Sequence, residues 1–421
     1  MFRGSLVLTA LALLALSACG DDPSGADAAP AEPEAAPEAT PEGEPEAEPE
    51  AEPEGEPEPE PEPEAEAEVL PPEPWDPTQP GFYGVGYRAE EISYAPPGQD
   101  EPRTLRVVTW YPTLDKEGEK AVYGGILPRD GVFEGASVAI DAPAPVLVFS
   151  HGSTSFAEQS FFMTEFFTSH GWIVVAMDHT GNLFRDRGGV PPEIFALRPL
   201  DVTAVIDHIT TLPDDDPLAD LISDKIALSG HSFGGYTTLA VSGASFRVDA
   251  VDLACDTGQL SESFCGYFQD EATIGLFTEG FLDPRVGVSI PQAPFGGSVF
   301  GQGVADIDIP VLLFTAAGDI TLLPEQDGEP IWAGLDGQDD LRVDFTTGGH
   351  FTFSNACGFG IGIGVDDGCG PTFISPERAF HAVNTYSMVF ARRHLLGDMS
   401  HQDILDGTTE VDGDVLLHHK R

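Results

Sequence analysis

Asp224 to Gly243 reads DKIALSGHSFGGYTTLAVSG, and the fold is decided by how this stretch is read. Ile226 to Leu228 is a short apolar run of buried-strand type, Gly230 to Gly234 spells G-x-S-x-G, and Tyr236 to Val241 continues in helix-compatible apolar residues. The spacing predicts a strand turning directly into a helix with Ser232 at the bend. A turn that tight leaves no room for a Cβ two residues before or two residues after the serine, and Gly230 and Gly234 meet that need. The bend would aim the Ser232 hydroxyl at solvent, near the positive end of the following helix, where developing anionic charge is favoured.

Working outward, buried strands and helices alternate. Pro145 to Ser150 (PVLVFS) and Trp172 to Met177 are continuous apolar runs of the kind covered on both faces, and each ends at a polar loop, His151-Gly152-Ser153 and Asp178-His179. Helices are expected from about Ala157 to His170, Arg198 to Leu212 and Pro376 to Leu396. Further strands are expected at Val286 to Ile290, Pro310 to Phe314 and Leu341 to Phe345, with Phe82 to Tyr94 and Arg103 to Tyr111 forming an antiparallel edge. This rhythm predicts an α/β fold: a doubly wound, mostly parallel sheet with helices on both faces and its ligand site beyond the strand C-terminal ends. Ala254 to Pro284 breaks the rhythm with a Phe-rich stretch bearing two cysteines. It is read as an insertion over the sheet, either a lid or a structural excursion. The tail from Gly397 has no assignable place.

A serine hydroxyl is a poor nucleophile at neutral pH, so an imidazole must take its proton and a carboxylate must fix the imidazole's tautomer. His350 follows the last strand in Thr347-Gly348-Gly349-His350-Phe351, and Asp319 follows an earlier one in Ala316-Ala317-Gly318-Asp319. The chain order is then Ser, Asp, His. Asp178, Asp283 and Asp306 are rival acids. The two oxyanion donors are expected from the backbone N–H groups of Phe233 and Ser153, with His151 shaping the loop beneath. No H-E-x-x-H or C-x-x-C spacing occurs, and Asp214-Asp215-Asp216 and Asp366-Asp367 read as solvated turns, so no metal and no cofactor are expected.

The first 18 residues hold one basic side chain, Arg3, and an apolar stretch from Leu6 to Leu16, the form of a signal peptide. Leu16-Ser17-Ala18-Cys19 resembles the bacterial lipoprotein box, which implies cleavage before Cys19, lipidation of its thiol and a membrane-anchored, exported protein. Residues 19–74 form an acidic Pro/Glu-rich linker holding 21 of the 71 acidic residues and no lysine or arginine. Such a segment cannot bury a core and reads as a spacer with a reach on the order of 100 Å. Residues 75–421 remain as one catalytic domain. They are acidic too, with 50 Asp and Glu against 18 Lys and Arg. That balance excludes nucleic acid and polyanionic partners and favours a small neutral molecule; a monomer is expected. Outside the cytosol Cys255, Cys265, Cys357 and Cys369 should pair. Of three connectivities, Cys255 with Cys265 and Cys357 with Cys369 is favoured because each closes a short loop.

Phe149-Ser150-His151-Gly152, Asp178-His179, Gly230 to Gly235, Gly318-Asp319 and Gly349-His350-Phe351 together resemble the bacterial dienelactone-hydrolase-like and platelet-activating-factor acetylhydrolase-like α/β-hydrolases, over roughly Phe82 to Leu396. The resemblance implies serine esterase chemistry with Ser232 as nucleophile, Asp319 and His350 as its partners, and the Ser153 and Phe233 amides as oxyanion hole. Dienelactone hydrolases carry cysteine where Ser232 stands. Mammalian acetylhydrolases take their acid one strand earlier, around Phe295-Gly296-Gly297, where this sequence has no carboxylate. The chain is also similar to bacterial cutinases and polyester hydrolases, which usually carry methionine and tryptophan at the places of Phe233 and Pro294-Phe295. Short neutral esters are therefore the expected substrates, with a polyester hydrolase or lipase as the alternative. A displayed binding module without activity would have lost a triad member, and all three are present.

Overall fold

The computed structural model describes residues 75–98, 101–186, 188–359 and 364–420. The expected signal segment, Cys19 and the expected spacer to residue 74 lie outside the described residues. Among the described residues eleven strands form one sheet: β1 (Gly84–Tyr94), β2 (Arg103–Thr113), β3 (Lys120–Tyr123), β4 (Leu127–Glu134), β5 (Ala144–Ser150), β6 (Ile173–Met177), β7 (Ile222–His231), β8 (Val286–Gln292), β9 (Leu312–Ala316), β10 (Leu341–Phe345) and β11 (Val415–His419). Their order is β11-β10-β9-β8-β7-β5-β6-β2-β1-β4-β3. The six strands from β10 to β6 are parallel, and β2 joins β6 antiparallel. Because β5 is followed by β6 on one side and flanked by β7 on the other, the winding reverses between β5 and β7. A crevice opens beyond the C-terminal ends of strands at such a reversal.

The strands are apolar on both faces, and their period of two sorts them. Leu147, Phe149, Val174, Ala176 and Ala227 enter one buried cluster with Met163 and Phe167 of α1 (Phe161–Ser169). Val146, Val148, Ile173, Val175, Ile226 and Leu228 enter another with Val202, Val205 and Ile206 of α2 (Ile194–Ile209). Helix α3 (Phe233–Val241) continues from β7 and packs against β7, β8 and α2. A third cluster gathers Phe246, Phe264, Phe268 and Phe277 around Tyr236 of α3.

The expected doubly wound parallel sheet with helices on both faces is present, but three features differ from the sequence reading. First, β3 and β4 extend the sheet past β1. Leu127–Glu134 contains Pro128 and Gly131 and buries only Val132, so it lacks the apolar run that marks a buried strand. Second, the 254–284 insertion carries the end of α4 (Val248–Asp256) and the short helices α5 (Glu262–Tyr267) and α6 (Glu271–Glu279), with Cys255 bonded to Cys265 across the α4–α5 turn. Third, the tail takes β11 antiparallel to β10. Three helices complete the domain, α7 (Gly297–Phe300), α8 (Gly328–Gly334) and α9 (Pro376–Leu396), before the single turn α10 (Gln402–Leu405). Helix α9 has the bounds expected: Ser375 caps it by accepting from the Arg378 N–H, and Gly397 ends it with φ of 69°.

Candidate active site

Ser232 lies between β7 and α3 with φ of 61° and ψ of −116°, a backbone shape that costs a non-glycine residue on the order of 1–3 kcal/mol. Its surroundings impose that shape. The Ser232 N–H donates to the Gln292 carbonyl at 2.9 Å and its carbonyl accepts from the Phe295 N–H at 3.2 Å, both from the β8 side. A Cβ on Gly234 would stand 1.9 Å from the Ser150 carbonyl oxygen, and one on Gly230 would stand 2.4 Å from that of Gly234. Glycine is therefore required at both positions for β5, β7 and α3 to meet. Ser232 itself is only partly buried.

The other two expected residues converge on this serine from the ends of neighbouring strands. Asp319 follows β9, His350 follows β10, and both are buried. Asp319 Oδ1 accepts from the Thr321 and Leu322 N–H groups at 3.0 and 2.7 Å, which orients the carboxylate. His350 Nδ1 lies 2.8 Å from Asp319 Oδ2, and its Nε2 lies 2.8 Å from Ser232 Oγ. An ionised carboxylate can only accept, so Nδ1 carries the proton and Nε2 is free to receive that of the serine. The rival acids are engaged elsewhere: Asp178 with the Ala157 N–H and Arg185, Asp283 with Arg285, and Asp306 with Ser245.

The loop after β5 carries Ser153, exposed, whose Oγ accepts from Asn182 Nδ2 at 3.2 Å. Among the described residues neither the Ser153 N–H nor the Phe233 N–H donates to a protein acceptor. A relay supports the loop from beneath. The Gly152 N–H donates to Gln159 Oε1 at 2.7 Å, Gln159 Nε2 donates to His231 Nδ1 at 2.8 Å, and His231 Nε2 donates to the His350 carbonyl at 2.9 Å. Burial first, and then the neighbouring His350, push the His231 imidazole down to about 3, so it stays neutral with its proton on Nε2. His151 donates from Nδ1 to the Gly152 carbonyl at 2.6 Å and accepts the His179 N–H at 3.1 Å, which is the backbone-shaping place expected of it.

Arg198 is wholly buried under the same loop. It donates to the His151 carbonyl, to Ser150 Oγ at 3.1 Å, to Asn182 Oδ1 at 2.7 Å and to Thr237 Oγ1 at 3.2 Å, and its guanidinium covers the Phe233 ring at 4.8 Å. Burial brings it down to about 9. Ser150, His179 and Asp201 form a second serine-histidine-aspartate relay, with Oγ to Nε2 at 2.9 Å and Nδ1 to Oδ2 at 2.8 Å. All three are fully buried, which closes this relay to any substrate.

Two carboxylates were not foreseen in the sequence. Asp367, read there as part of a solvated turn, is 4% exposed, while Asp366 beside it is exposed as expected. Asp327 comes from the start of α8 to the segment after β8, where the sequence offers no local carboxylate. Its Oδ1 accepts from the Gly296 and Gly297 N–H groups at 2.9 and 3.1 Å, and it shares a small cavity with Asp319. Burial pushes it up to about 6 against those two bonds, with the nearby Asp319 charge adding to the rise. Its pKa is thus higher folded than unfolded, so the unfolded chain binds fewer protons between about pH 4 and 6 and stability falls as pH rises through that window. Asp327→Asn keeps both N–H bonds and removes the charge. It should stabilise the domain by roughly 2 kcal/mol at pH 8 and leave it unchanged below pH 4, as read by urea unfolding at the two pH values.

The second disulfide, Cys357 to Cys369, flanks the His350 loop. Both bridges are the pairs favoured on spacing.

No family model and no curated protein matches the chain. Solved structures do. A ferulic acid esterase from Streptomyces cinnamoneus shares 22% identity with it over 80% of this chain and 98% of that one, with a TM-score of 0.55. At that identity the likeness concerns architecture, and together with the parallel sheet and the strand-to-helix turn at Ser232 it shows that this chain has the α/β-hydrolase fold.

Proposed function

We propose that the protein is a serine carboxylic ester hydrolase working through an acyl-enzyme, of the dienelactone-hydrolase-like and acetylhydrolase-like kind. The hydrogen-bonded line Ser232 Oγ, His350 Nε2, His350 Nδ1, Asp319 Oδ2, beginning at a strained strand-to-helix turn, carries this reading. His350 takes the Ser232 proton as Oγ bonds to the ester carbonyl carbon, and the carbonyl oxygen becomes an oxyanion received by the Ser153 and Phe233 N–H groups. The tetrahedral adduct then expels the alcohol, which leaves with the proton from His350. Water attacks the acyl-serine by the same proton transfers in reverse order. No cofactor takes part. Cys19 anchors the exported protein to a membrane through its lipid, with the acidic linker as spacer.

Short neutral esters are the proposed substrates. The field of an acidic domain repels free acids. Phe195, Phe233 and Phe295 cluster beside the serine, with ring centroids 4.7 Å apart for Phe195 and Phe233 and 5.9 Å for Phe195 and Phe295. Phe264 of the insertion closes on Phe195 at 4.4 Å. Those rings make an apolar wall of limited depth for the acyl chain. The half-buried Phe195 and Phe295 rings also suit a flat aromatic acyl group, as the name of the ferulic acid esterase suggests for that protein. A p-nitrophenyl ester series of increasing acyl length, run beside methyl ferulate and an insoluble polyester film, is expected to peak at acetate to butyrate without eroding the film. Soluble products from the film would replace this reading with a polyester hydrolase, and a maximum at long acyl chains with a lipase. Folded protein that hydrolyses none of them would indicate a binding module.

A further inference from the structure

The carboxylate of Asp367 joins the loop after β9 to the loop after β10. Oδ1 accepts from the His350 N–H at 2.7 Å and from the Ile320 N–H at 3.1 Å, and Oδ2 accepts from the Thr321 hydroxyl at 2.6 Å. Its backbone carbonyl accepts from the Phe351 N–H at 2.9 Å. Ile320 and Thr321 directly follow Asp319, so one buried group holds both the peptide of the proposed base and the residues next to the proposed acid. An ionised acceptor satisfied by three donors is stiffer than any one of those bonds alone.

The Asp367 segment is itself fixed. The Asp367 and Cys369 N–H groups both donate to the Gly364 carbonyl at 2.8 Å, and Cys369 is bonded to Cys357. A Cβ on Gly349 would stand 2.4 Å from the Gly368 nitrogen, so the two loops are in direct contact. No proton of the ester hydrolysis passes through Asp367, and Ser232 is not among its partners.

The geometry points to Asp367 as a positioning residue that keeps the acid loop and the base loop in register, an inference that rests on the serine-hydrolase reading of Ser232, His350 and Asp319. Two substitutions separate the clip from the charge. Asp367→Ala removes all three side-chain bonds and lets the loops drift. A displacement of about 1 Å in a catalytic group costs on the order of a hundredfold, so kcat should fall about 10²-fold while KM stays within about twofold. Asp367→Asn keeps Oδ1 for the two N–H groups and offers its amide to Thr321 Oγ1, which can accept as well as donate. It loses only charge assistance and should stay within about tenfold of the wild type.

The test measures kcat and KM on p-nitrophenyl acetate, fluorophosphonate labelling, the thermal midpoint, and the downfield proton resonance of the His350 Nδ1–H in the full domain. Loss or broadening of that resonance in Asp367→Ala, with its retention in Asp367→Asn, supports the inference. Asp367→Ala with wild-type kcat and an unchanged resonance overturns it. So does a loss shared by kcat, KM and the thermal midpoint in both variants, which would mark a general structural role. Wild-type protein that neither turns over ester nor takes the label removes the hydrolase reading, and the role of Asp367 with it, before any variant is compared.

Discussion

Ser232→Ala is expected to abolish ester turnover and fluorophosphonate labelling together while leaving the fold intact. The Ser232 side chain bonds only His350 among the described residues, and alanine meets the same backbone demand at φ of 61° without a new clash. The substitution removes the atom proposed to form the acyl bond. Losses on the order of 10⁶ in kcat, about 8 kcal/mol in the barrier, accompany removal of such a nucleophile, because the remaining members of a triad do nothing without it. His350→Ala should fall almost as far, and the double variant should be no worse than either single one. Burst kinetics with p-nitrophenyl acetate check this: the wild type releases a stoichiometric burst, and neither variant does. A Ser232→Ala protein that retains turnover and label would move the nucleophile elsewhere.

Asp319→Asn should cost about 10⁴ in kcat, about 5.5 kcal/mol, for a reason visible in its two oxygens. Oδ1 is committed to the Thr321 and Leu322 N–H groups, so asparagine must keep its carbonyl oxygen there. Its amide nitrogen then occupies the position of Oδ2, 2.8 Å from His350 Nδ1, and donates where the carboxylate accepted. The imidazole answers by moving its proton to Nε2, which can no longer take one from Ser232. Asp283→Asn and Asp306→Asn should retain near-normal rates, since Asp283 serves Arg285 and Asp306 serves Ser245. The reverse result in a side-by-side kcat measurement would reassign the acid.

The three residues proposed as nucleophile, base and acid were legible because each lies just past a strong apolar run. The region beyond the strand ends is where a parallel sheet presents functional groups, and Ser232, Asp319 and His350 lie just past the C-terminal ends of β7, β9 and β10. Gly230 and Gly234 were legible for a steric reason that the structure makes explicit. Asp367 and Asp327 were not, because an aspartate in a glycine-bearing turn looks the same in sequence whether it faces water or a neighbouring loop. Only tertiary contact distinguishes Asp366, exposed, from Asp367, buried. His231 sat inside the quoted motif and still gave no sign of its bond to the His350 carbonyl, because that link spans more than a hundred residues. Strands β3, β4 and β11 escaped for a different reason: they are partly exposed, so they carry no continuous apolar run.

The pairing of β11 with β10 has a bearing on how the protein behaves at high concentration. Leu341 to Phe345 of β10 would otherwise offer a bare row of peptide donors and acceptors at the rim of the sheet, and Val415 to His419 cover it residue for residue. A chain cut short before Val415 would uncover that row and invite a second molecule to dock its own strand there, the first step toward aggregation. The damage would not stop at solubility. The Thr346 N–H is held by the Asp414 carbonyl at 2.9 Å, four residues before His350, so loosening the tail loosens the approach to the imidazole. Val415 to His419 thus do two jobs at once, covering the rim of β10 and steadying the segment that leads to His350.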